Sequence, residues 1–326
     1  MQSDVTRLMV ELAVSRTLKE WRQGDCKRSL RKLVDYGQYF SSGRFPRDFF
    51  STVQKMLREE DHPYYALVSR AVSSVDQSYL MHFDINLGYE SMTRSARLIR
   101  QWHQQQNCWI PWLMGIPADT LPLSHAISAL CEGDLLGIRS YALFTHQPDA
   151  AYISALTRQF PTFAFFLLLP DESVEEKLLD DMEGTPNICT IPMRKGGSFR
   201  SPELFRKRRR FYTPCRVMRA EDLRQLMQHK DLRCPGDEDC IFPVFLADLS
   251  VPQLELRSFR DFAISLRTSP LQSLFPIEMR GDILGVEKII THEGHHPSYS
   301  LPPVHPMSGL LVPGEEFMRT AIDLCV

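Results

Sequence analysis

Asn107-Cys108-Trp109-Ile110-Pro111-Trp112-Leu113-Met114-Gly115-Ile116 is where the rhythm of this 326-residue chain changes. Before it, apolar residues recur at helical spacing; after it, they gather into short runs separated by helical stretches. Upstream, Leu8, Met9, Leu12, Ala13 and Leu18 predict a helix that exits at Gly24, and Leu30, Leu33 and Val34 predict a second. Phe49, Phe50, Val53, Met56 and Leu57 predict a third, opening after Pro46, and Tyr65, Leu67, Val68, Ala71, Val72 and Val75 continue the pattern. A helix over about 89–106 carries Met92, Ala96, Ile99 and His103 on one side and turns Arg94, Arg97 and Arg100 toward solvent.

Downstream, residues 110–116, 138–144, 163–169, 188–193, 213–218 and 241–247 read as strands. Helices are expected around 124–132, 150–158, 174–182, 203–209 and 221–229. Strands that alternate with helices form parallel sheets through βαβ crossovers. The expected fold is therefore α/β: a helical N-terminal region over 1–108, then a partial (β/α) barrel of about six parallel strands over 109–250. A third region over 251–326 becomes a proline-rich C-terminal arm after Pro270, punctuated by Pro297, Pro302, Pro303, Pro306 and Pro313, and ends in a short helix at 315–324.

Composition narrows the class. Apolar residues make up 43% and charged residues 24%, as in ordinary globular proteins, and the net charge of −2 argues against a globally basic nucleic-acid binder. The longest apolar run, 163–169, closes at Pro170 and falls far short of the roughly 18 residues of a membrane span. Met1-Gln2-Ser3-Asp4 has neither the charged nor the apolar region of a signal peptide, so a cytoplasmic location is expected. The eight scattered cysteines then read as reduced thiols.

Around the opening strand the chain resembles the radical-SAM family. Phe83-Asp84-Ile85-Asn86-Leu87-Gly88 precedes the helix ending near Gln106, and Ile110-Pro111-Trp112 turns into an apolar strand. This is similar to radical-SAM proteins with a helical N-terminal extension. In that family the next loop carries CxxxCxxC, whose thiolates hold an iron–sulfur cluster that chelates SAM. Here the loop reads Pro117-Ala118-Asp119-Thr120, with no cysteine. The family's glycine-rich turn after the second strand is replaced by Thr145-His146-Gln147-Pro148. Ser258-Phe259-Arg260-Asp261-Phe262 through Leu266-Arg267-Thr268-Ser269-Pro270-Leu271 resembles a SPASM-type tail, with Cys240 at one ligand position and Cys325 the sole later cysteine. The resemblance implies an inherited barrel without an iron–sulfur cluster, SAM or reductive cleavage.

Several groups carry candidate chemistry. Asp119, Thr145, His146, Gln147 and Asp149, with Arg194 and Lys195, fall at the C-terminal ends of expected strands, the edge where β/α barrels place functional groups. Cys234 and Cys240 bracket a turn and offer two thiols to zinc or a redox pair, while a structural zinc needs four ligands. His292, Glu293, His295 and His296 form the densest cluster of metal-ligand types, but Gly294 and Pro297 break the helix that HExxH spacing requires. Arg206, Lys207, Arg208, Arg209 and Arg210, followed by Phe211 and Tyr212, suit an acidic partner or a phosphate backbone, and equally a solvated helix face. Arg280-Gly281-Asp282 reads as a turn.

The expected function is a non-catalytic radical-SAM-like binding or scaffold protein with no cofactor. Its expected partner is a protein, either an intact radical-SAM enzyme or an acidic protein, ahead of nucleic acid. The alternatives are an enzyme of another class that uses the strand-end pocket, zinc being the metal the cysteine and histidine groups would suit, and a nucleic-acid or acidic-partner adaptor.

Overall fold

The computed structural model describes residues 5–22, 24, 26–40, 44–106, 109–237, 239–268, 273–291 and 306–325. The N-terminal region is helical: α1 (Val5–Arg22), α2 (Cys26–Phe40), α3 (Arg44–Met56), α4 (Pro63–Ser74) and α5 (Gln77–Asp84), then a π-helical segment (Ile85–Ser95) and α6 (Ala96–Gln106). Strands and helices follow in alternation: β1 (Leu113–Pro117), α7 (Leu123–Leu136), β2 (Ser140–Phe144), α8 (Ala150–Gln159), β3 (Ala164–Pro170), α9 (Glu176–Asp181), β4 (Ile188–Arg194) and α10 (Pro202–Lys207). The series continues through β5 (Cys215–Met218), α11 (Ala220–His229), β6 (Val244–Ala247), α12 (Gln253–Thr268), β7 (Ile277–Glu278), α13 (Met279–Ile290) and, near the C-terminus, α14 (Glu315–Asp323).

The seven strands form one parallel sheet in sequence order, curled into a half-barrel. A sheet covered on both faces needs apolar residues at successive positions, which is why β2 and β3 read SYALF and AFFLLLP and are buried almost throughout. Register places Gly115, Ala142, Phe166 and Cys189 side by side, and Met114, Tyr141, Phe165 and Ile188 likewise. Because side chains alternate along a strand, these are opposite faces. The Tyr141 hydroxyl fills the space a side chain on Gly133 of α7 would need, so the second face is the outer one, under the crossover helices.

The inner face is covered by both ends of the chain. Phe83, at the end of α5, meets Phe166 edge-on with ring centroids 5.4 Å apart. Phe317 of α14 meets Phe144 edge-on at 4.9 Å, and the Leu311 amide donates to the Gly115 carbonyl at 2.9 Å. α13 runs from β7 back to the entry of β1, where the Trp112 indole donates to the Ile283 carbonyl at 3.1 Å. The strands do not close into a ring; a helix bridges their two edges.

The π-helical segment is fixed by polar contacts at the strand starts. The Asn86 amide donates to the carbonyls of Pro161 (2.9 Å) and Phe163 (2.8 Å), and the Ser140 hydroxyl lies 2.7 Å from that of Ser91. Fully buried Glu90 pairs with Arg7 at 2.8 Å, with Arg94 at 3.1 Å and with Arg139, tying α1 and β2 to this segment.

Six strands fall where the sequence predicts them, with starts two or three residues later at β1, β2, β5 and β6. Asn107 and Cys108 lie outside the described residues. The seventh strand was not expected, because two residues make no periodic pattern. Phe83-Asp84-Ile85-Asn86-Leu87-Gly88 does not precede a helix; it lies within one continuous helical run. Arg280-Gly281-Asp282 is the first turn of α13 and no loop: the Glu278 carboxylate caps the Gly281 amide, and Asp282 accepts from Arg267 at 2.9 Å. α12, β7 and α13 carry the β/α alternation past residue 250 to Ile290. On α6, Arg100 is half-buried and donates to the Ile290 carbonyl at 3.3 Å, while Arg94 pairs with Glu90. Residues 292–305, with His292, Glu293, His295 and His296 and with Pro297, Pro302 and Pro303, lie outside the described residues.

Candidate functional site

β/α geometry brings the loops after β1 and β2 together at the C-terminal rim of the sheet. Between them lies a cleft of about 420 Å³ lined by Ala118, Asp119, Thr145, His146, Gln147, Asp149, Tyr152 and Ile153. Thus Asp119, Thr145, His146, Gln147 and Asp149 line one cleft. Tyr152, Ile153 and Ala118 were missed, although Tyr152 follows Asp149 by three residues and so faces the same side of the first turn of α8.

Asp119 organises the cleft. One carboxylate oxygen accepts from the Thr145 hydroxyl at 2.6 Å; the other accepts from the His146 amide at 2.7 Å and lies 3.2 Å from His146 Nδ1. Burial raises the Asp119 pKa, but the Thr145 hydroxyl and the His146 amide and ring outweigh it and hold the carboxyl below its ordinary value. His146 Nε2 lies 3.3 Å from the main-chain carbonyl of Asp323 in α14, and the Ser173 hydroxyl donates to the His146 carbonyl at 2.8 Å. His146 thereby joins the ends of β1, β2 and β3 to the C-terminal helix. Its Nε2 meets a carbonyl oxygen, not the hydroxyl or thiol that a base must activate for nucleophilic chemistry. Asp149 serves as the N-cap of α8, accepting from the amides of Ala151 (2.8 Å) and Tyr152 (3.2 Å).

Arg194 and Lys195 occupy the same rim but not this cleft. Arg194 Nη1 lies 3.4 Å from buried Asp171 and 3.9 Å from Glu172, and Lys195 pairs with Asp248 at 3.3 Å. Asp171 also accepts from the Arg200 amide and from the Ser201 amide and hydroxyl, so this cluster holds the loop after β4 in shape.

Cys234 and Cys240 are buried free thiols packed with Phe199, and burial, with the Cys234 thiol beside it, pushes Cys240 well above the usual thiol range. A thiol so held resists becoming the thiolate that binds metal. Among the described residues, no three metal-ligating side chains converge.

The basic run is taken up inside the chain. Arg206 pairs with buried Asp237, Lys207 with Glu203 at 3.1 Å, and Arg208 with Asp180 at 2.8 Å and Glu176 at 3.5 Å. Arg209 donates to the carbonyls of Ser73 and Val75, and Arg210 to those of Met182 and Leu179 while lying 4.4 Å from the Tyr79 ring centroid. Arg209 and Arg210 fasten the N-terminal helices to the half-barrel, while Arg206, Lys207 and Arg208 pair with acids of the barrel itself. They do not form a common solvated stripe for a nucleic-acid backbone.

A scan against protein-family models and searches of curated proteins and of solved structures match nothing. The residues after β1 do not fit the cluster that the radical-SAM resemblance implies. Ala118, Asp119 and Thr120 offer no sulfur, and the inner face beside Gly115 is taken by Leu311 and Phe317. No described helix is long and apolar enough to cross a membrane.

Proposed function

We propose that this chain works by binding rather than by radical chemistry: a radical-SAM-like half-barrel kept as a scaffold, with a ligand in the rim cleft and a protein partner on its surface. The filled inner face carries this reading. The radical-SAM resemblance implies a cofactor beside the first strands, and here Leu311 and Phe317 stand at Gly115 and Phe144. The sulfur-free loop after β1 supports it as well. The partner expected is an intact radical-SAM enzyme or an acidic protein. Anaerobic reconstitution with iron and sulfide, followed by metal analysis and SAM titration, tests the reading: the protein should end colourless and without SAM affinity, and a stoichiometric iron–sulfur cluster would overturn it. Capture from native cells then identifies the partner.

One observation favours a second reading, an enzyme of another class. The Asp119 carboxylate beside His146 Nδ1 is the arrangement that orients an imidazole for proton transfer. Turnover of any substrate that disappears in His146→Ala while the fold persists would select this reading over the scaffold.

A further inference from the structure

We propose that the hairpin of α1 and α2 docks this protein on an anionic lipid surface, its apolar face against the lipid and its basic side chains on the phosphates. α1 carries two apolar faces. Leu18 and Trp21 pack inward with Leu30, Val34 and Leu57. Val5, Leu8, Met9 and Leu12 recur at the spacing of a different face and are between 48% and 64% exposed. The periodicity that predicts α1 from Leu8, Met9 and Leu12 therefore does not place them in the core. α2 begins four residues after α1 ends, and helices joined so closely lie antiparallel. Tyr36 and Tyr39, the latter 81% exposed, thus stand at the same end of the hairpin as Val5 and Leu12. Six of the ten large apolar side chains exposed among the described residues belong to this hairpin. Scattered singly, such residues need no partner, but gathered into a patch they mark a protein or membrane contact.

Charge and size select the occupant. The exposed face continues along α1 through Arg16 and Lys19, four and seven residues beyond Leu12, and on α2 Lys32 precedes Tyr36 and Tyr39 by the same steps. Glu20 joins the two helices by accepting from Arg16 and from Lys32 at 3.0 Å each, so one acid serves two bases. The other described acids of the hairpin are engaged elsewhere: Glu11 pairs with Arg7 at 2.8 Å, and Asp35 accepts from Gln54 of α3 at 2.7 Å. Residues 1–61 as a whole hold twelve Lys and Arg against nine Asp and Glu, in a chain that carries 38 against 40. A second copy would set like charge against like charge. A stable protein interface takes about 20–30 residues a side, well beyond six apolar side chains and their basic neighbours. An interfacial helix needs less: one apolar face in the headgroup layer, and Lys and Arg drawn to anionic lipid.

The test is sedimentation of the full chain with two kinds of vesicle: phosphatidylcholine alone, and an equal mixture of phosphatidylcholine and phosphatidylglycerol. The protein should bind the mixed vesicles, more weakly as salt rises, and leave the neutral ones in suspension. Leu8→Glu with Leu12→Glu should weaken binding about tenfold or more, the scale of two leucines kept out of the lipid. Arg16→Gln with Lys19→Gln should weaken it on mixed vesicles by about tenfold. Should the leucine variant fail to fold, wild-type protein decides: mixed vesicles should slow hydrogen-peroxide oxidation of Met9, read by peptide mass spectrometry. The proposal is overturned if mixed vesicles bind nothing, if neutral vesicles bind as well, or if the leucine variant binds undiminished. It is overturned equally if Met9 oxidises at one rate with and without vesicles, which leaves the face to a partner protein. A lipid-free dimer that the leucine variant dissociates in sedimentation velocity would assign the face to a second copy instead. None of these outcomes depends on what occupies the rim cleft.

Discussion

Replacing Glu287 by Gln removes one titrating proton from α13, the helix that bridges the two edges of the sheet. Glu287 is 1% exposed. Burial pushes its carboxyl from the ordinary 4.5 up to about 8, and the facing Trp109 indole offsets only part of this. A carboxyl raised in the folded state has no effect on stability below its unfolded pKa, where both states are protonated. As pH climbs, the unfolded chain releases the proton while the folded chain must keep it, so stability falls until the folded value is passed. At about 1.4 kcal/mol per pH unit, the span from about pH 5 to about pH 8 should cost the wild type roughly 3.5 kcal/mol. For a chain of this size that is about 5 °C in Tm. The amide of Gln has the same shape and no proton to lose. Urea unfolding of both proteins at the two pH values reads the effect: Glu287→Gln should gain on the wild type as pH rises. A stability difference that stays constant with pH would refute a neutral, dry Glu287.

Other substitutions probe the remaining joints. Gly115→Ala would set a Cβ 2.7 Å from a Phe144 ring carbon and 3.1 Å from Leu311 and Phe317. It should cost roughly 1–3 kcal/mol through overpacking, and hydrogen exchange should quicken along α14. Glu90→Ala leaves Arg7, Arg94 and Arg139 without their shared anion, a loss of about 3 kcal/mol measurable by denaturant unfolding. Asp119, held below the ordinary carboxylate value, should keep its clasp on His146 until the pH falls through its lowered pKa. In the wild type the His146 amide should thus stay protected from exchange at mildly acidic pH, whereas Asp119→Ala should expose it at every pH.

Some of the rim was legible because strand ends are fixed by topology. Once 110–116 and 138–144 are read as parallel strands, Asp119 and Thr145 to Asp149 must emerge at one edge, whatever the loops do. The pairing of Asp119 with His146 follows only in the folded chain, since 27 residues separate them. The basic run shows the opposite case. Its sequence suggests a charged face, but its partners are scattered over Ser73, Glu176, Leu179, Asp180 and Asp237.

The order of the elements, the parallel sheet and six of its strands were determined by sequence, because the apolar rhythm that a covered strand or helix requires is a local property of the chain. What covers the inner face of the curl was decided by the tertiary structure alone. Phe317 and Leu311 belong to a segment whose sequence announces only a short helix and its approach, and α13 bridges the sheet from a stretch expected to form an extended arm. A side chain's periodicity tells which of its faces must leave water, while the partner that removes it is chosen by contacts between residues far apart along the chain.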